Sequence, residues 1–397
     1  MMENGPLTGL RVIELGQLLA GPVCGQFLAD MGAEVIKLEP PEGDPLRQWG
    51  RVRPQGVSVW FAIVGRNKTF ATLDLRQEEG RALLRDLLKS ADVLLENFRP
   101  GTLEKWGLGW DVLHARNPRL ILTRVSGYGQ SGPYSSKAGY ASVGEAFGGL
   151  RYPIGEPDRV PARTGTSLGD TLAATFAALG TVAALNARHA TGRGQIVDAS
   201  IYESCMAMME SLIPDYQHGA VIRERAGSFL PNIAPSNIYR TADGMVIIGA
   251  NQDSVFARLC EAMGQPALAK DPRYLTHVPR GENQIELDAL IERWTRTLSS
   301  AEVQRLCDEH AVPCGPVNRA PELLADPHIA ARGSIVSAQD DVIGEIKMQG
   351  VFPVLSETPG AVRWPAKAIG ADNERVWREI AGVDAARFAA LKAKGVI

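Results

Sequence analysis

Short apolar runs that alternate with helix-patterned segments constrain this chain more than any other feature. Residues 11–15 form one such run, Gly16 interrupts it, residues 21–31 carry a helical pattern, Gly32 closes it, and residues 33–39 form a second run. A strand, a helix and a second strand in this order make the unit from which parallel sheets are built. The alternation continues with a strand at 68–75, a helix at 78–89 carrying Leu83, Leu84, Leu87 and Leu88, a strand at 91–96, a helix at 103–116 and a strand at 119–125. Each crossover is short, so the spacing predicts a doubly wound α/β domain over residues 7–200.

Residues 127–149 are rich in Gly and Ser and read as a turning loop. A helix is expected at 171–190, a turn at Thr191-Gly192-Arg193-Gly194, a strand at 195–200, and a further helix to about residue 212. The texture then changes. Residues 214–237 are polar and contain proline, as a linker does, and residues 239–250 read as a hairpin around Ala242-Asp243-Gly244. Helices at 254–263, 284–297 and 300–310 suggest a smaller α+β domain, followed by a strand at 343–351 and helices at 373–381 and 385–394.

The chain has 397 residues, enough for two domains, and its 45% apolar and 22% charged residues are an ordinary globular mix. A net charge of −3 implies no nucleic-acid-binding surface at the level of the whole chain. No apolar run approaches the roughly 20 residues of a membrane span, and Met1-Met2-Glu3-Asn4-Gly5-Pro6 does not look like a secretory signal. The five cysteines lack CxxC spacing and the six histidines never form HxxxH, so a cytoplasmic protein without a metal centre is expected.

Asp170 follows a small-residue loop, Arg163-Thr164-Gly165-Thr166-Ser167-Leu168-Gly169, and precedes the apolar run at 172–185. It is placed to cap the helix, contributing about 1 kcal/mol, or to act as a carboxylate nucleophile; the two roles are compatible. Gly165-Thr166-Ser167-Leu168-Gly169 matches the nucleophile elbow of serine hydrolases, yet Pro161-Ala162-Arg163-Thr164 is no strand, so Ser167 reads as a loop residue. The first crossover lacks the G-x-G-x-x-G trio, although Glu39 at the end of the second strand would suit a ribose. Basic residues recur beside loops: Arg66, Lys68, Arg76, Arg99, Lys105, Arg124 and Lys137. Each reads singly as surface charge, and together they would meet the phosphates of a nucleotide-like cofactor. Asn97-Phe98-Arg99 follows a strand end, where open α/β sheets bind ligands.

Several segments, in order, resemble the class III CoA-transferases of the formyl-CoA and carnitine CoA-transferase type. They include Leu19-Ala20-Gly21-Pro22, Gly32-Ala33-Glu34-Val35-Ile36-Lys37-Leu38-Glu39, Glu96-Asn97-Phe98-Arg99-Pro100-Gly101, Ser126-Gly127-Tyr128-Gly129, Gly169-Asp170, Thr191-Gly192-Arg193-Gly194-Gln195 and Val312-Pro313-Cys314-Gly315-Pro316-Val317. The resemblance implies Asp170 as covalent nucleophile and coenzyme A as co-substrate, with no permanent cofactor. It implies a Rossmann-like large domain from residues 1–215, a small α+β domain at 225–330, a return at 331–397 that completes the large domain, and a homodimer interlocked like linked rings. Coenzyme contacts carry over to Leu18, Leu19, Leu73 and Arg76, and to Asn97, Phe98, Arg99, Lys105 and Lys137. Pro40 stands where some members have an arginine.

The α-methylacyl-CoA racemases share the fold and are the competing resemblance. They place a histidine where this chain has Tyr140, so one member of an acid/base pair is missing and transfer is the expected chemistry. An inactive CoA-binding homologue is a third reading, which the retained Asp170 argues against. Gly148-Gly149-Leu150-Arg151-Tyr152 resembles members that use succinyl-CoA and small dicarboxylates. A succinyl-CoA donor and a C4–C6 dicarboxylate acceptor are therefore expected. Arg47, Arg53 and Arg151 are candidates to hold the distal carboxylate, with Tyr140 and Glu145 as further substrate contacts.

Overall fold

The computed structural model describes residues 5–397; the first four residues of the expected large domain, and most of the N-terminal segment read for a signal, lie outside it. The chain divides into two compact units. The first runs to Leu150 and continues through Thr164–Gly219 and His328–Ile397; the second comprises Arg151–Arg163 and Ala220–Pro327. The segment 151–163, expected within the large domain, thus belongs to the smaller unit.

The first unit is built on strands β1 (Arg11–Glu14), β2 (Glu34–Glu39), β3 (Lys68–Thr72), β4 (Val93–Glu96), β5 (Ile121–Ser126) and β6 (Ile196–Ser200). They lie in the order β3-β2-β1-β4-β5-β6, and every neighbouring pair is parallel. This is the dinucleotide-fold order, which reverses between β1 and β4 and leaves a crevice there at the carboxyl edge. Strand side chains alternate between two cores. Ile13, Leu15, Ile36, Leu94 and Leu122 face one side, with Leu83, Leu84 and Leu87 of the helix Glu78–Leu87 and with Val376 and Trp377 near the C-terminus. Val12, Val35, Val93, Leu95 and Ile121 face the other, against the helices Ala20–Asp30 and Leu168–Thr191. Burial on both sides explains why the strands read as continuous apolar runs.

The C-terminal return covers the β3 edge. Asp372 and Asn373 accept from the Phe70 and Thr72 amides, both at 2.8 Å, so the edge is paired by side chains rather than left open. The expected helix at 103–116 is two, Thr102–Lys105 and Trp110–Arg116, broken where Gly107 takes φ +67°. The helix expected to reach residue 212 stops at Met206, and a separate one spans Leu212–Gly219.

Leu168–Thr191 is 24 residues, long and apolar enough by composition to cross a membrane, which corrects the expectation that no run approaches that length. Its contacts are those of a crossover helix. Ala173, Ala174, Ala177 and Ala184 pack on the sheet, where small side chains permit close approach. Thr181 Oγ1 lies 2.7 Å from Thr123 Oγ1 of β5, and Arg188 pairs with Asp92 at 2.8 Å.

The second unit has strands β7 (Ser236–Arg240), β8 (Met245–Gly249) and β9 (Cys314–Pro316), antiparallel in that order. Tyr239, Val246 and Ile248 pack with Phe256, Leu287 and Val303 from its helices. In the first unit β10 (Ile335–Asp340) pairs antiparallel with β11 (Gly344–Gln349).

Candidate active site

The sheet's point of reversal carries a cleft of about 240 Å³. Leu15 and Gln17 just after β1, Leu38 of β2 with Pro40 just after it, and Leu73 and Arg76 after β3 line it. Phe98 and Trp106 form its aromatic side, ring centroids 5.3 Å apart and edge to face. Phe98 is aimed by a buried carboxylate. Its amide donates to Glu96 Oε2 at 2.6 Å, while Arg124 Nε donates to Glu96 Oε1 at 2.6 Å. Burial pushes Glu96 up to about 7, against the opposing pull of Arg124. Asn97 ties the turn after β1 to the turn after β4: its amide group exchanges bonds with Gln17 N and O at 2.8 and 2.9 Å.

Asp170 stands on the same edge. Arg188 of its helix meets the amino edge at Asp92, and Thr181 meets the middle of β5. At 1.5 Å per residue, Asp170 is therefore about 16 Å further toward the carboxyl side than Thr181. The helix begins at Leu168 with Ser167 as its N-cap, so Asp170 is not the cap but lies in the first turn. There it still sits at the positive end of the helix dipole. No strand precedes Ser167, which excludes the elbow geometry.

Glu145 is fully buried on the helix Ala141–Phe147 and accepts from the Gly169 amide at 3.0 Å. A methyl group on Gly169 would lie 2.7 Å from Glu145 Cγ, so only glycine permits this approach beside Asp170. Burial pushes the Cys205 thiol up to about 11, and the nearby Glu145 and Asp170 carboxylates push it the same way. The structure thus gathers Glu145, Asp170 and Cys205 into one neighbourhood. Among the described residues no group of three or more His, Cys, Asp or Glu is placed to hold a metal ion.

The chain matches CoA-transferase family III over residues 7–373. It belongs to that family. It is 56% identical to the succinyl-CoA–D-citramalate CoA-transferase of Chloroflexus aurantiacus, over 99% of this chain and 98% of the relative. It is 35% identical to the succinate–glutarate CoA-transferase of Agrobacterium fabrum, over 96% of each. The crystal structure of a CAIB/BAIF family protein from Brucella suis superposes with a TM-score of 0.84 at 34% identity, covering 95% of this chain and all of that one. The protein is a family III CoA-transferase, and coenzyme A is its co-substrate.

In this CoA-transferase, Leu73, Arg76 and Phe98 line the cleft directly. Leu18 and Leu19 occupy the turn that Asn97 braces, and Arg99 and Lys105 are exposed on the segment after β4. Arg76 is engaged by Asp74 at 2.7 Å and by Glu42 at 3.1 Å. Lys137 lies on another loop, its Nζ 3.5 Å from the Tyr134 ring centroid. Tyr140, half exposed, begins the helix that carries Glu145.

Three of the basic residues expected near phosphates are consumed by the interior. Arg66 pairs with Asp30 at 2.7 Å, Lys68 with Glu14 at 2.8 Å, and Arg124 with Glu96 and Glu104. Glu39, read as a ribose contact, is buried and accepts the Arg47 fork at 2.9 and 2.6 Å. Arg47 is corrected with it. Its guanidinium also lies 4.0 Å over the Phe61 ring and donates to Lys367 O, so its fork is not open to a distal carboxylate. Arg53 is exposed and bonded to Gln48, and Arg151 opens the smaller unit's first segment. Sequence reasoning missed Trp106 and the buried pair Lys37 and Asp44, 2.9 Å apart. A lysine in the otherwise apolar strand β2 was the available signal, because lysine is almost never fully buried without a partner.

Proposed function

We propose that this enzyme moves CoA from succinyl-CoA to a C4–C6 dicarboxylate, with D-citramalate the leading acceptor and Asp170 as nucleophile. The observation that carries the acceptor is the 56% identity, over 99% of the chain, to a succinyl-CoA–D-citramalate CoA-transferase. Asp170 is supported by its place in a helix's first turn, on the carboxyl edge that also bears the cleft.

The Asp170 carboxylate attacks the thioester carbonyl of succinyl-CoA; the C–S bond breaks and CoA leaves as thiolate, giving a succinyl–aspartyl anhydride. The thiolate attacks the aspartyl carbonyl, succinate departs, and an aspartyl–CoA thioester remains. The acceptor carboxylate attacks that thioester and expels the thiolate. The thiolate then attacks the acceptor carbonyl and returns Asp170 as a free carboxylate. No proton or water is consumed. A carboxylate is a weak nucleophile, so orientation and water exclusion supply much of the acceleration. Backbone amides of the Gly-rich loop before the helix Ala141–Phe147 are the proposed donors to each oxyanion.

The working form is a cytoplasmic homodimer of interlocked chains. A face for pairing is offered by the exposed apolar stripe of the long helix, where Leu179 is 63% exposed and Val182 42%. The test is an assay of a carboxylic acid panel with succinyl-CoA. Highest kcat/KM for D-citramalate or a near dicarboxylate is expected, and activity confined to oxalate, carnitine or aromatic acids overturns the assignment. Asp170→Ala should lose transfer by at least about 10³-fold while retaining fold and CoA binding. Wild-type protein given succinyl-CoA and then hydroxylamine should gain mass only on the peptide bearing Asp170.

A further inference from the structure

The turn between β1 and the helix Ala20–Asp30, together with the first turn of that helix, is held by side chains from four other places in the chain. Lys37 Nζ of β2 donates to Gly16 O at 2.8 Å, and Lys68 Nζ of β3 donates to Pro22 O at 2.7 Å. Asn97 takes both backbone groups of Gln17, and Asp44 accepts the Leu18 amide on both carboxylate oxygens at 3.1 and 3.2 Å. At the centre of this clamp Leu18 adopts φ +62°, the left-handed conformation that a leucine rarely takes.

Asp44 is itself fixed. Its carboxylate lies 2.9 Å from Lys37 Nζ, and Lys37 also meets Glu14 at 3.1 Å, with all three side chains at most 1% exposed. Burial works to raise the Asp44 carboxyl, but Lys37 and the Leu46 and Leu18 amides hold it below its usual range. Burial works to lower the Lys37 ammonium, and Glu14, Asp44 and Glu39 hold it above its usual range. The pair is therefore a buried, charged fixture. A turn needed only for chain reversal would be served by glycine, which takes positive φ without cost. This chain instead keeps a leucine there and spends a buried carboxylate to hold it, next to Gln17, which lines the cleft.

We propose that Asp44, backed by Lys37, is a positioning residue for coenzyme binding: it locks Leu18 in the left-handed conformation and so presets the Gln17–Leu19 turn for the acyl-CoA. The inference rests on the reading that the cleft at the sheet's reversal receives the coenzyme. Without Asp44 the turn relaxes toward the ordinary conformations of leucine, and the coenzyme must reorder it on binding. The left-handed preference at stake corresponds to a population factor of roughly 5–30.

The experiment measures kcat and KM for succinyl-CoA, with amide hydrogen exchange over residues 16–22, in Asp44→Asn, Asp44→Ala, Leu18→Gly and the Asp44→Ala/Leu18→Gly double variant. Asp44→Ala should raise KM by roughly 5–30-fold, with a much smaller fall in kcat and faster exchange at Leu18. Asp44→Asn keeps an acceptor for the Leu18 amide and should fall between it and the wild type. In the Leu18→Gly background, removing Asp44 should change KM far less, because glycine needs no holding. An Asp44→Ala variant that matches the wild type in both KM and exchange overturns the proposal. So does an Asp44→Ala effect that persists undiminished beside Gly at position 18. If Asp44→Ala does not fold, Asp44→Asn in the two backgrounds carries the same comparison. Saturating CoA should protect residues 16–20 in the wild type; absence of that protection removes the site reading itself, separately from the role of Asp44.

Discussion

Arg47 shows how a residue's neighbours decide its role. A guanidinium near a substrate site is the expected grip for a carboxylate, yet here the fork is closed on Glu39, whose side chain is fully buried. Removing one partner of such a pair leaves the other as an uncompensated charge, which costs about 3–5 kcal/mol. Arg47→Ala should therefore lower the unfolding free energy by that order, and Arg47→Lys should lose less, since it keeps the charge but not the two-pronged geometry. Chemical denaturation of the three proteins checks this. Unchanged stability with altered acceptor preference would return Arg47 to the substrate. The same scale governs Gly25, where an added methyl group would fall 1.8 Å from Glu14 Oε2 and split the buried ion cluster. Neither constraint is readable from residue type: Arg47 and Glu39 are eight positions apart, and Glu14 and Lys68 fifty-four.

Among the elements, the end of β4 couples burial to the geometry of the cleft. Glu96 closes the strand and holds the Phe98 amide, and its carboxyl is raised from 4.5 to about 7, by burial above all. The folded state therefore binds a proton more tightly than the unfolded chain does. That stabilisation is full below about pH 4.5 and is lost as pH rises through about 7. Glu96→Gln removes the titrating group. The variant should lose the part of the wild type's fall in stability that lies between about pH 5 and about pH 8, as read from denaturation midpoints against pH. An unchanged slope would show that Arg124 keeps Glu96 ionised throughout, against the opposing charge of Glu104. The strand itself was legible as an apolar run bounded by turns. Nothing in the sequence marked its terminal glutamate as buried and paired, because periodicity reports which face a side chain takes and not whether a cation waits there. The long helix gives the opposite lesson. Its apolar run announced it, but its start at Leu168 moved Asp170 from the cap into the first turn. Ser167 satisfies no helix amide with its side chain, so no capping bond marks that boundary.

For the whole molecule, the proposed linked-ring dimer makes a topological prediction. Rings that pass through one another cannot part without opening, so dilution alone should yield no monomer. Two differently tagged preparations, mixed under native conditions, should form no mixed dimers over days and should form them after unfolding and refolding together. Rapid native exchange would rule out interlocking and leave an ordinary dimer on the Leu179 face. At this scale the element order, the parallel order of the six-stranded sheet and the position of the Asp170 carboxylate near a helix start all follow from the pattern of apolar runs, glycines and short crossovers. Those features are local, repeated every few residues, and survive any choice of partner. The assignment of 151–163 to the smaller unit, the clamp on Leu18 and the closing of Arg47, Arg66, Lys68 and Arg124 onto buried acids belong to the tertiary structure alone. They depend on which charges are brought within about 3 Å of each other in a poorly screening interior, and no local period of the chain encodes that distance.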